Sequence, residues 1–429
     1  MKLLYTLLLT LATPLILLRL LVRARKQPAY LQNVGERFGL YGPPPTRPLI
    51  WLHAVSVGET RAAEPLVKAL TATHPEYQIL LTHMTPTGRE TGEQLFGDQL
   101  MHCYLPYDLP ACVGAFLRHF RPRVGILMET ELWPNLIHAS RSAGIPLYLV
   151  NARLSERSAR RYARAPRLTR EVLACLTAIG AQTEADAERL RALGARAVVI
   201  TGNLKFDRGP RPQDLELGTR LYQLLMGEAS PAARHSAHEQ GERAVFLAAS
   251  TREGEEELIL DAVSKLPQDV LVVIVPRHPQ RFDAVARLLQ GRGVRFQRRS
   301  DGEPVRHETR VVLGDSMGEL FAYYLACDIA FIGGSLLPLG GQNLLEACAA
   351  GVPVVIGPHT FNFVEATRLA VDAGAAIRVA DAQELGTVLA TLLEDSARRK
   401  TMGDAGRRLM LQHQGATART LALLALPPG

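Results

Sequence analysis

The sequence predicts an α/β protein with two doubly wound parallel sheets, one in each half of the chain, and an apolar helix at the N-terminus. Short apolar runs alternate with helical patterns in two successive series, which is typical of parallel sheets. At 429 residues the chain is long for a single core. A charged fraction of 21% and an apolar fraction of 47% exclude general disorder.

The N-terminal stretch is long enough to cross a membrane. Residues 3–22 are nearly all apolar, and about 20 such residues span a bilayer. Arg23, Arg25 and Lys26 follow directly, whereas a single lysine precedes the stretch, so the positive-inside rule places the body of the protein in the cytoplasm. We therefore predict an uncleaved membrane anchor at residues 1–26.

Two alternatives for this stretch stay open. A cleaved signal peptide is disfavoured because no small-x-small cleavage site follows and because the basic residues lie on the wrong flank. Arg19 and Pro14 lie within the apolar run, and they leave open a helix that lies in the membrane interface instead of spanning the bilayer.

The first series of apolar runs predicts an N-terminal Rossmann-like domain over residues 27–206, with a helix at residues 60–70. A stretch rich in proline, glycine, glutamine and charge follows at residues 207–242 and predicts a linker. The runs that we interpret as strands of this first domain are residues 48–53, 78–82, 124–128, 146–150 and 197–200.

After the linker the pattern restarts and predicts a second Rossmann-like domain over residues 243–405, followed by a C-terminal helical segment at residues 406–429. Ligands of such sheets bind outside the carboxyl ends of the strands. We therefore expect the polar motifs at these ends to line a cleft between the two domains. The strands of the second domain are predicted at residues 244–249, 270–275, 309–313, 327–332 and 352–357.

A glycine-rich segment at residues 333–346 is the most informative part of the chain. It follows a buried strand and precedes a short helix, with Glu346 one turn into that helix. Unpaired backbone N–H groups at a helix start bind anions, and glycines allow close approach to a phosphate. Glu346 lies about where a ribose diol would sit, so the segment indicates the nucleotide-sugar pocket of a glycosyltransferase.

Glu59 is a candidate catalytic base at the carboxyl end of the first strand. Ser56 and Glu59 also fit the S-x-x-E capping box, in which the glutamate only fixes the start of a helix. The same spacing recurs at residues 250–253 and 316–319, so the pattern alone is weak evidence for catalysis. Both interpretations therefore stay open at this point.

Two carboxylates, Glu129 and Glu131, follow the strand at residues 124–128. Adjacent carboxylates at a sheet edge are costly unless they bind a cationic or hydroxylated group, although one of them can simply be solvated. In the second half, Arg277 directly follows a predicted strand, where its guanidinium can bind a phosphate through two hydrogen bonds. The turn at residues 314–320 offers further free N–H groups.

An arginine-rich segment at residues 151–170 contains seven arginines and one acid, Glu156. A solvated basic face is the usual interpretation of such a run, but arginine without lysine favours phosphate or membrane-surface contact. The net charge of +7 agrees with an acidic partner, and the scarcity of interleaved aromatics disfavours nucleic acid. The arginines that we predict to share one helical face are Arg153, Arg157, Arg160, Arg161 and Arg164.

Together these motifs resemble the 3-deoxy-D-manno-octulosonic acid (Kdo) transferases of lipid A biosynthesis, which are glycosyltransferases of the GT-B fold. The resemblance extends from the anchor to beyond residue 363. It depends on HAVSVGE at 53–59, MTPTG at 84–88, METELWPN at 128–135, NARLSERS at 151–158, residues 205–207, 275–282, 314–320 and 333–335, and GPHTFNF at 357–363.

The resemblance implies a CMP-Kdo donor, a lipid A precursor as acceptor, and a location at the inner membrane of a Gram-negative bacterium with the body on the cytoplasmic face. It places the general base on Glu59. Many relatives have His-Asn-Pro where this chain has residues 342–345, so the loop geometry is expected to differ. The family's donor contacts fall on Pro276, Arg277, Met317, Gly318, Glu319, Asn343, Leu344, Leu345 and Glu346.

The implied mechanism is an inverting single displacement, in which Glu59 accepts the proton of the acceptor hydroxyl. Arg277 and the helix starts at Gly318 and Asn343 stabilise the departing CMP. No Asp-x-Asp or histidine cluster lies near them, and the five scattered cysteines show no metal spacing and fit a reducing compartment, so we expect no metal or other cofactor. Two alternatives are another GT-B enzyme with a UDP-sugar donor and a non-catalytic membrane-tethered lipid-binding protein.

Overall fold

The computed structural model describes residues 1–25, 27–207, 209–210, 212–226 and 243–426. The chain divides into two compact units. The first consists of Met1–Arg208 and His413–Gly429, and the second of Gly209–Gln412.

The first unit contains one parallel sheet of seven strands in the order β3-β2-β1-β4-β5-β6-β7. The strands are β1 Leu49–His53, β2 Gln78–His83, β3 Met101–Tyr104, β4 Val124–Met128, β5 Leu147–Ala152, β6 Ala178–Ala181 and β7 Val198–Ile200. The helices are α1 Lys2–Ala24, α2 Val57–Thr73, α3 Pro86–Phe96, α4 Pro110–Phe120, α5 Pro134–Ser142, α6 Glu156–Tyr162, α7 Pro166–Ala174 and α8 Glu184–Ala192.

The central strands of this sheet are buried on both faces, which explains their continuous apolar sequences. Every residue of β1 and β4 is buried. The side chains of one face pack around Trp51, and those of the other face pack around Leu52. In the ladder His53 pairs with Thr82 and with Leu127, so the carboxyl ends of β1, β2 and β4 lie side by side.

The second unit also contains a parallel sheet of seven strands, in the order β10-β11-β9-β8-β12-β13-β14. The strands are β8 Val245–Thr251, β9 Leu271–Pro276, β10 Phe296–Arg298, β11 Val311–Leu313, β12 Ile329–Ile332, β13 Val354–Ile356 and β14 Ala376–Arg378. The helices are α9 Pro212–Met226, α10 Glu255–Val263, α11 Phe282–Gly291, α12 Leu320–Ala326, α13 Leu345–Ala350, α14 Val364–Asp372, α15 Ala382–Glu394 and α16 Ser396–His413.

The predicted fold class, with two doubly wound parallel sheets, is confirmed. The stretch 207–242 differs from the linker that we expected, because its residues 212–226 form α9, which packs against α12 of the second unit. Gly218 allows this close packing, since an added Cβ would lie 2.8 Å from the Cβ of Leu325. Residues 227–242 of the stretch lie outside the described residues.

The C-terminal segment also differs from the single helical element expected at residues 406–429. Helix α16 ends at His413, and a final helix, α17 Ala416–Leu423, belongs to the first unit. The carboxylate of Asp207 accepts the backbone N–H groups of Gly415 (2.6 Å) and Thr417 (2.5 Å) at the start of α17. This contact gives the motif at residues 205–207 a structural role in the first unit.

Helix α1 occupies most of the segment predicted as an anchor. In the described part of the chain it is the one helix that is long and apolar enough to cross a membrane. Length and composition alone are weak evidence of membrane association, and Lys26 lies outside the described residues.

Candidate active site

Glu59 lies in the first turn of α2, directly after β1. Ser56 is the N-cap residue, and its hydroxyl oxygen accepts the N–H of Glu59 at 3.5 Å. The Glu59 carboxylate in turn accepts the backbone N–H of Val55 at 2.9 Å and the hydroxyl of Ser56 at 3.0 Å. The reciprocal bonds of a capping box are therefore formed, although the N–H that the glutamate accepts precedes the N-cap residue.

The loop after β4 places Glu129 and Glu131 beside Glu59. Glu129 adopts a left-handed backbone conformation with φ of 57°, which costs a non-glycine residue roughly 1–3 kcal/mol. Its carboxylate forms an ion pair of 3.3 Å with Lys205. The carboxylate of Glu131 accepts the indole N–H of Trp133 at 2.8 Å. Residues strained in this way cluster at functional sites, which makes this loop a candidate functional loop.

Glu59, Glu129 and Glu131 form what we call the carboxylate cluster. Glu59 is only 8% exposed, and burial, followed by the charge of Glu129, raises its pKa to about 8. The N–H of Val55 opposes this rise, and the charge of Glu131 adds to it. Burial also raises the pKa of Glu131. A buried carboxyl with a pKa near neutral pH is suited to accept and release a proton.

The arginine-rich segment does not form the single helical face that we predicted. Helix α6 ends at Tyr162, and Pro166 begins α7, because the residue before a proline is biased towards extended backbone. Arg153 therefore precedes α6, and Arg164 lies between the two helices. A pocket on the surface of the first unit is nevertheless lined by Arg157, Arg160, Arg161 and Arg164.

Helix α6 contacts the loop that contains Glu129 and Glu131. The hydroxyl of Tyr162 donates to the backbone oxygen of Thr130 at 3.4 Å. The hydroxyl of Thr130 donates to the backbone oxygen of Arg153 at 2.5 Å. Tyr162 also lies close enough to Glu131 for that charge to add to the burial that raises the tyrosine's pKa. The exposed arginines and the carboxylate cluster thus belong to neighbouring segments.

In the second unit, Arg252 and Arg277 form an arginine pair at the carboxyl ends of β8 and β9. Burial, followed by the charge of Arg252, lowers the pKa of Arg277, whereas Glu346 raises it. Neither guanidinium forms an ion pair with another residue that the structure describes. Two half-buried cations side by side, with the charge of one carboxylate, Glu346, acting on Arg277, favour an anionic ligand.

The helix that follows the glycine-rich segment brings Glu346 to the arginine pair. Leu344 and Leu345 are core side chains, so only their backbone groups remain for a ligand. The side-chain oxygen of Asn343 accepts the N–H of Leu345 at 3.3 Å. Asn343, Leu344, Leu345 and Glu346 were all predicted to contact the CMP-Kdo donor. Glu346 is the one whose charge acts on Arg277.

In the first part of the glycine-rich segment, three backbone N–H groups are bonded within the protein. The buried carboxylate of Glu255, which is 0% exposed, accepts the N–H groups of Gly334, Ser335 and Leu336 at 2.5, 2.9 and 3.0 Å. It accepts the N–H of Arg252 as well, at 3.0 Å. These three N–H groups are therefore occupied by the protein's own carboxylate and are not open to a phosphate. The anion site predicted at the start of the helix, around Asn343, stays a prediction.

Gly333 is required in this segment by close approach of the backbone. An added Cβ would lie 2.5 Å from the backbone oxygen of Ser250 at the end of β8. The absence of a side chain lets the loop after β12 lie against β8, and this brings its N–H groups to Glu255.

The third group of residues predicted to contact the CMP-Kdo donor is Met317, Gly318 and Glu319, in the turn between β11 and α12. Glu319 accepts the hydroxyl of Ser316 at 2.5 Å and forms an ion pair of 3.4 Å with Arg299. Met317 is exposed, and the space beside Gly318 is open. Because β11 pairs with β9, this turn and Pro276–Arg277 lie at neighbouring strand ends.

Sequence reasoning missed two residues of the second unit and the role of Lys205. The signal for Arg252 was present, since it follows a buried strand as Arg277 does. Glu255 carried no comparable signal, because three of its four backbone partners lie about 80 positions away along the chain. Among the described residues no group of three or more histidine, cysteine or acidic side chains is arranged to hold a metal ion.

Comparison with known proteins assigns a family to each half of the chain. Residues 32–208 match the family model described as 3-deoxy-D-manno-octulosonic-acid transferase (kdotransferase). Residues 232–409 match the model described as glycosyl transferases group 1.

Similar proteins agree with these matches. The chain is 44% identical over 437 residues to a 3-deoxy-D-manno-octulosonic acid transferase of Bordetella pertussis, with 98% of each chain covered. It is 40% identical to the protein of that name from Haemophilus influenzae, covering 98% of this chain and 97% of the relative. A glycosyltransferase of Rickettsia africae shares the fold with a TM-score of 0.56 at 12% identity, covering 88% of this chain and 98% of that one.

Proposed function

Because the chain belongs to the 3-deoxy-D-manno-octulosonic acid transferase family, and is thus a Kdo-transferring glycosyltransferase of lipopolysaccharide biosynthesis, we propose that its donor is CMP-Kdo and its acceptor a lipid A precursor. The observation that carries the proposed chemistry is the buried Glu59 with its pKa near 8. Family membership favours CMP-Kdo over a UDP-sugar donor and an enzyme over a non-catalytic lipid-binding protein.

Glu59 is the general base in this proposal. The acceptor hydroxyl oxygen attacks the anomeric carbon of Kdo while its proton passes to the Glu59 carboxylate. The bond from the anomeric carbon to the phosphate oxygen breaks, and CMP leaves with the electron pair. A single displacement of this kind inverts the configuration at the anomeric carbon. Only ionised Glu59 can accept the proton, so the transfer rate follows its titration.

The arginine pair holds the anionic groups of the donor. A guanidinium binds phosphate or carboxylate through two parallel hydrogen bonds, and CMP-Kdo carries both groups. Glu346 lies near Arg277 and is suited to accept hydroxyls of the ribose. The exposed turn at Met317, Gly318 and Glu319 supplies further contacts, and Pro276 fixes the direction in which Arg277 leaves its strand.

The departing CMP carries growing negative charge, which we assign to the arginine pair for stabilisation. The pair supplies positive charge at the phosphate, so we propose that the transfer requires no divalent metal. Full activity after exhaustive treatment with EDTA is the expected result, and restoration of a lost activity by Mg²⁺ would contradict this part of the proposal.

The acceptor is an anionic lipid, and the arginine-rich segment is the part of the first unit suited to its phosphates. Arg153, Arg157 and Arg161 are the arginines that we assign to it, and the contacts of Tyr162 and Arg153 with Thr130 support this placement beside the carboxylate cluster. Glu129 and Glu131 are then suited to orient the acceptor's hydroxyl groups.

We place the enzyme on the cytoplasmic face of the inner membrane, with α1 as its attachment. The apolar helix and the basic residues beside it support attachment to a membrane, and the free cysteines support the cytoplasmic side.

The decisive experiment incubates purified full-length protein with CMP-Kdo and a lipid A precursor, followed by mass spectrometry of the lipid. The expected product carries added Kdo. A parallel thermal-shift measurement compares CMP with UDP, and stabilisation by CMP alone is expected. A lipid that stays unmodified although CMP stabilises the protein would contradict the proposed acceptor, whereas stabilisation by UDP alone would contradict the donor.

A further inference from the structure

Helix α1 contacts the unit to which it belongs on one face, and its specific contacts lie near its two ends. Its partly or fully buried positions recur every three or four residues, which is the spacing of one helical face. These positions are Tyr5, Thr6, Leu9, Ala12, Thr13, Ile16, Leu17, Leu20 and Ala24.

Both ends of α1 are held by specific contacts. Near its N-terminus, Tyr5 donates its hydroxyl to the Asp108 carboxylate at 3.0 Å. Thr6 donates to the side-chain oxygen of Asn135 at 2.9 Å. At the other end, the guanidinium of Arg23 lies over the ring of Tyr30.

These contacts are incompatible with a helix that crosses the bilayer. At about 1.5 Å per residue, Tyr5 and Ala24 lie roughly 28 Å apart along the axis, which is close to the hydrocarbon thickness of a membrane. A spanning α1 would therefore carry Tyr5 to the far side of the bilayer. Asp108 and Asn135 belong to the folded body and cannot follow it there, since buried polar groups and loops do not survive in hydrocarbon.

The opposite face of α1 is apolar and uncovered. Its large side chains are between 51% and 86% exposed, and they run from one end of the helix to the other: Leu3, Leu4, Leu7, Leu8, Leu11, Leu15, Leu18, Leu21 and Val22. An apolar strip of this length suits the boundary between headgroups and acyl chains.

The charge around the strip selects the partner. The described exposed charges of α1 and its C-cap are Lys2, Arg19, Arg23 and Arg25, and the helix contains no acid. Cations flanking an apolar face bind a surface of anionic phospholipid.

We propose that α1 lies flat in the headgroup region of an anionic phospholipid bilayer, with its leucine strip towards the acyl chains and its opposite face fixed to the body, and that it does not span the membrane. This inference depends on contacts within the first unit and not on the Kdo transfer proposed above. A failure of either is therefore distinguishable from a failure of the other.

Depth measurements on three labelled positions test the proposal. Leu4, Leu11 and Leu18 share one face at intervals of seven residues, so each is changed to cysteine in turn in the full-length protein, with Cys175 replaced by serine and with a nitroxide label attached. The proteins are reconstituted in vesicles of phosphatidylethanolamine and phosphatidylglycerol. Collision with oxygen and with a water-soluble nickel chelate then reports the depth of each label.

The proposal expects the same shallow depth at all three positions, about 5–10 Å below the headgroups. A spanning helix gives a different pattern, because successive labels are about 10 Å apart along the axis and Leu11 lies deepest. That pattern would overturn the proposal, and so would three labels as water-exposed as a control label at Glu394, an exposed residue of α15 in the second unit. Vesicles of phosphatidylcholine alone are expected to release the protein at moderate salt, since the charge attraction is lost.

Discussion

The substitution Glu59→Gln separates proton transfer from helix capping at one position. Glutamine retains one oxygen that can accept the N–H of Val55, and its amide can donate to the hydroxyl of Ser56. The start of α2 is therefore expected to persist, since glutamine also serves at this position of a capping box. What the change removes is the carboxylate that accepts the proton.

General-base catalysis contributes on the order of 100- to 10,000-fold, so the variant is expected to lose that factor in the rate of Kdo transfer. Binding of CMP should be unchanged within about twofold, a difference of roughly 0.4 kcal/mol. The residues assigned to CMP, including Arg252 and Arg277, belong to the second unit, whereas Glu59 belongs to the first.

The raised pKa of Glu59 also predicts a change in how stability depends on pH. The carboxyl titrates near 4.5 when the chain is unfolded and near 8 in the folded protein. The folded state therefore binds more protons between these values, and the wild-type protein loses stability as the pH rises from about 4.5 to about 8. A difference of 3.5 units corresponds to roughly 5 kcal/mol. The glutamine variant lacks this loss, so it should melt at a higher temperature than the wild type at pH 9 and much closer to it at pH 5.

The assay measures initial rates of transfer by mass spectrometry between pH 5.5 and 9.5, together with melting temperatures. The wild-type rate should rise tenfold per pH unit and level off near pH 8, and the residual rate of the variant should not follow this curve. Glu64→Gln on the same helix is the matched control, because Glu64 is buried and pairs with Lys68 but lies outside the cluster. Near-normal turnover of Glu59→Gln would refute the assignment and direct the search for the base to Glu129 or Glu131.

Three further changes test the other parts of the site. Replacing Arg252 or Arg277 by alanine should weaken CMP binding 10- to 100-fold in calorimetry, because a charge-assisted hydrogen bond contributes about 1.5–3 kcal/mol. Glu255→Gln should lower the free energy of unfolding by roughly 2–6 kcal/mol. The change replaces one carboxylate oxygen by an NH₂ group, so the two backbone N–H groups that this oxygen accepts lose their acceptor. Replacing Arg157 and Arg161 together by alanine should raise the KM for the lipid acceptor about tenfold and leave the KM for CMP-Kdo unchanged.

Matched controls accompany these changes. Arg287→Ala on α11 should leave CMP affinity unchanged, and Glu257→Gln on α10 should leave stability unchanged, because both side chains are exposed. The double change at Arg167 and Arg170 removes the same charge from α7. If it raises the acceptor KM as much as the change in α6 does, the effect is general surface charge and not a specific phosphate contact.

The two sheets could be predicted because most of their strands are recognisable from their own apolar sequences. Residues 124–128 form a strand with the predicted bounds, since a strand buried on both faces has a continuous apolar sequence. Short or weakly apolar strands such as Phe296–Arg298 escaped prediction, because only pairing with β11 identifies them. The arginine segment was predicted as one helical face and is two helices, although Pro166 was visible in the sequence.

The candidate site was less predictable, because side chains far apart in sequence decide its chemistry. The position of Glu59 follows from its strand and its cap, but its high pKa depends on Glu129, which is 70 positions away. In the glycine-rich segment the sequence was misleading, since nothing near the segment in sequence indicates an acceptor for its N–H groups at residues 334–336. Their acceptor, Glu255, belongs to a helix whose pattern gives no indication of this contact.

The hydrogen bond between Tyr5 and the Asp108 carboxylate matters for any form of the enzyme that lacks α1. The carboxylate accepts the hydroxyl of Tyr5 and also the N–H groups of Asn135 and Leu136, at 2.9 and 2.7 Å, at the start of α5. Helix α5 lacks a cap of its own and begins directly after the loop that contains Glu129 and Glu131. Removing α1 to obtain a soluble protein would expose this carboxylate to water and withdraw one of its three donors. A truncated enzyme would then differ from the native one beside its catalytic loop, so low turnover in such a protein would reflect altered anchoring of α5 as well as the lost contact with lipid.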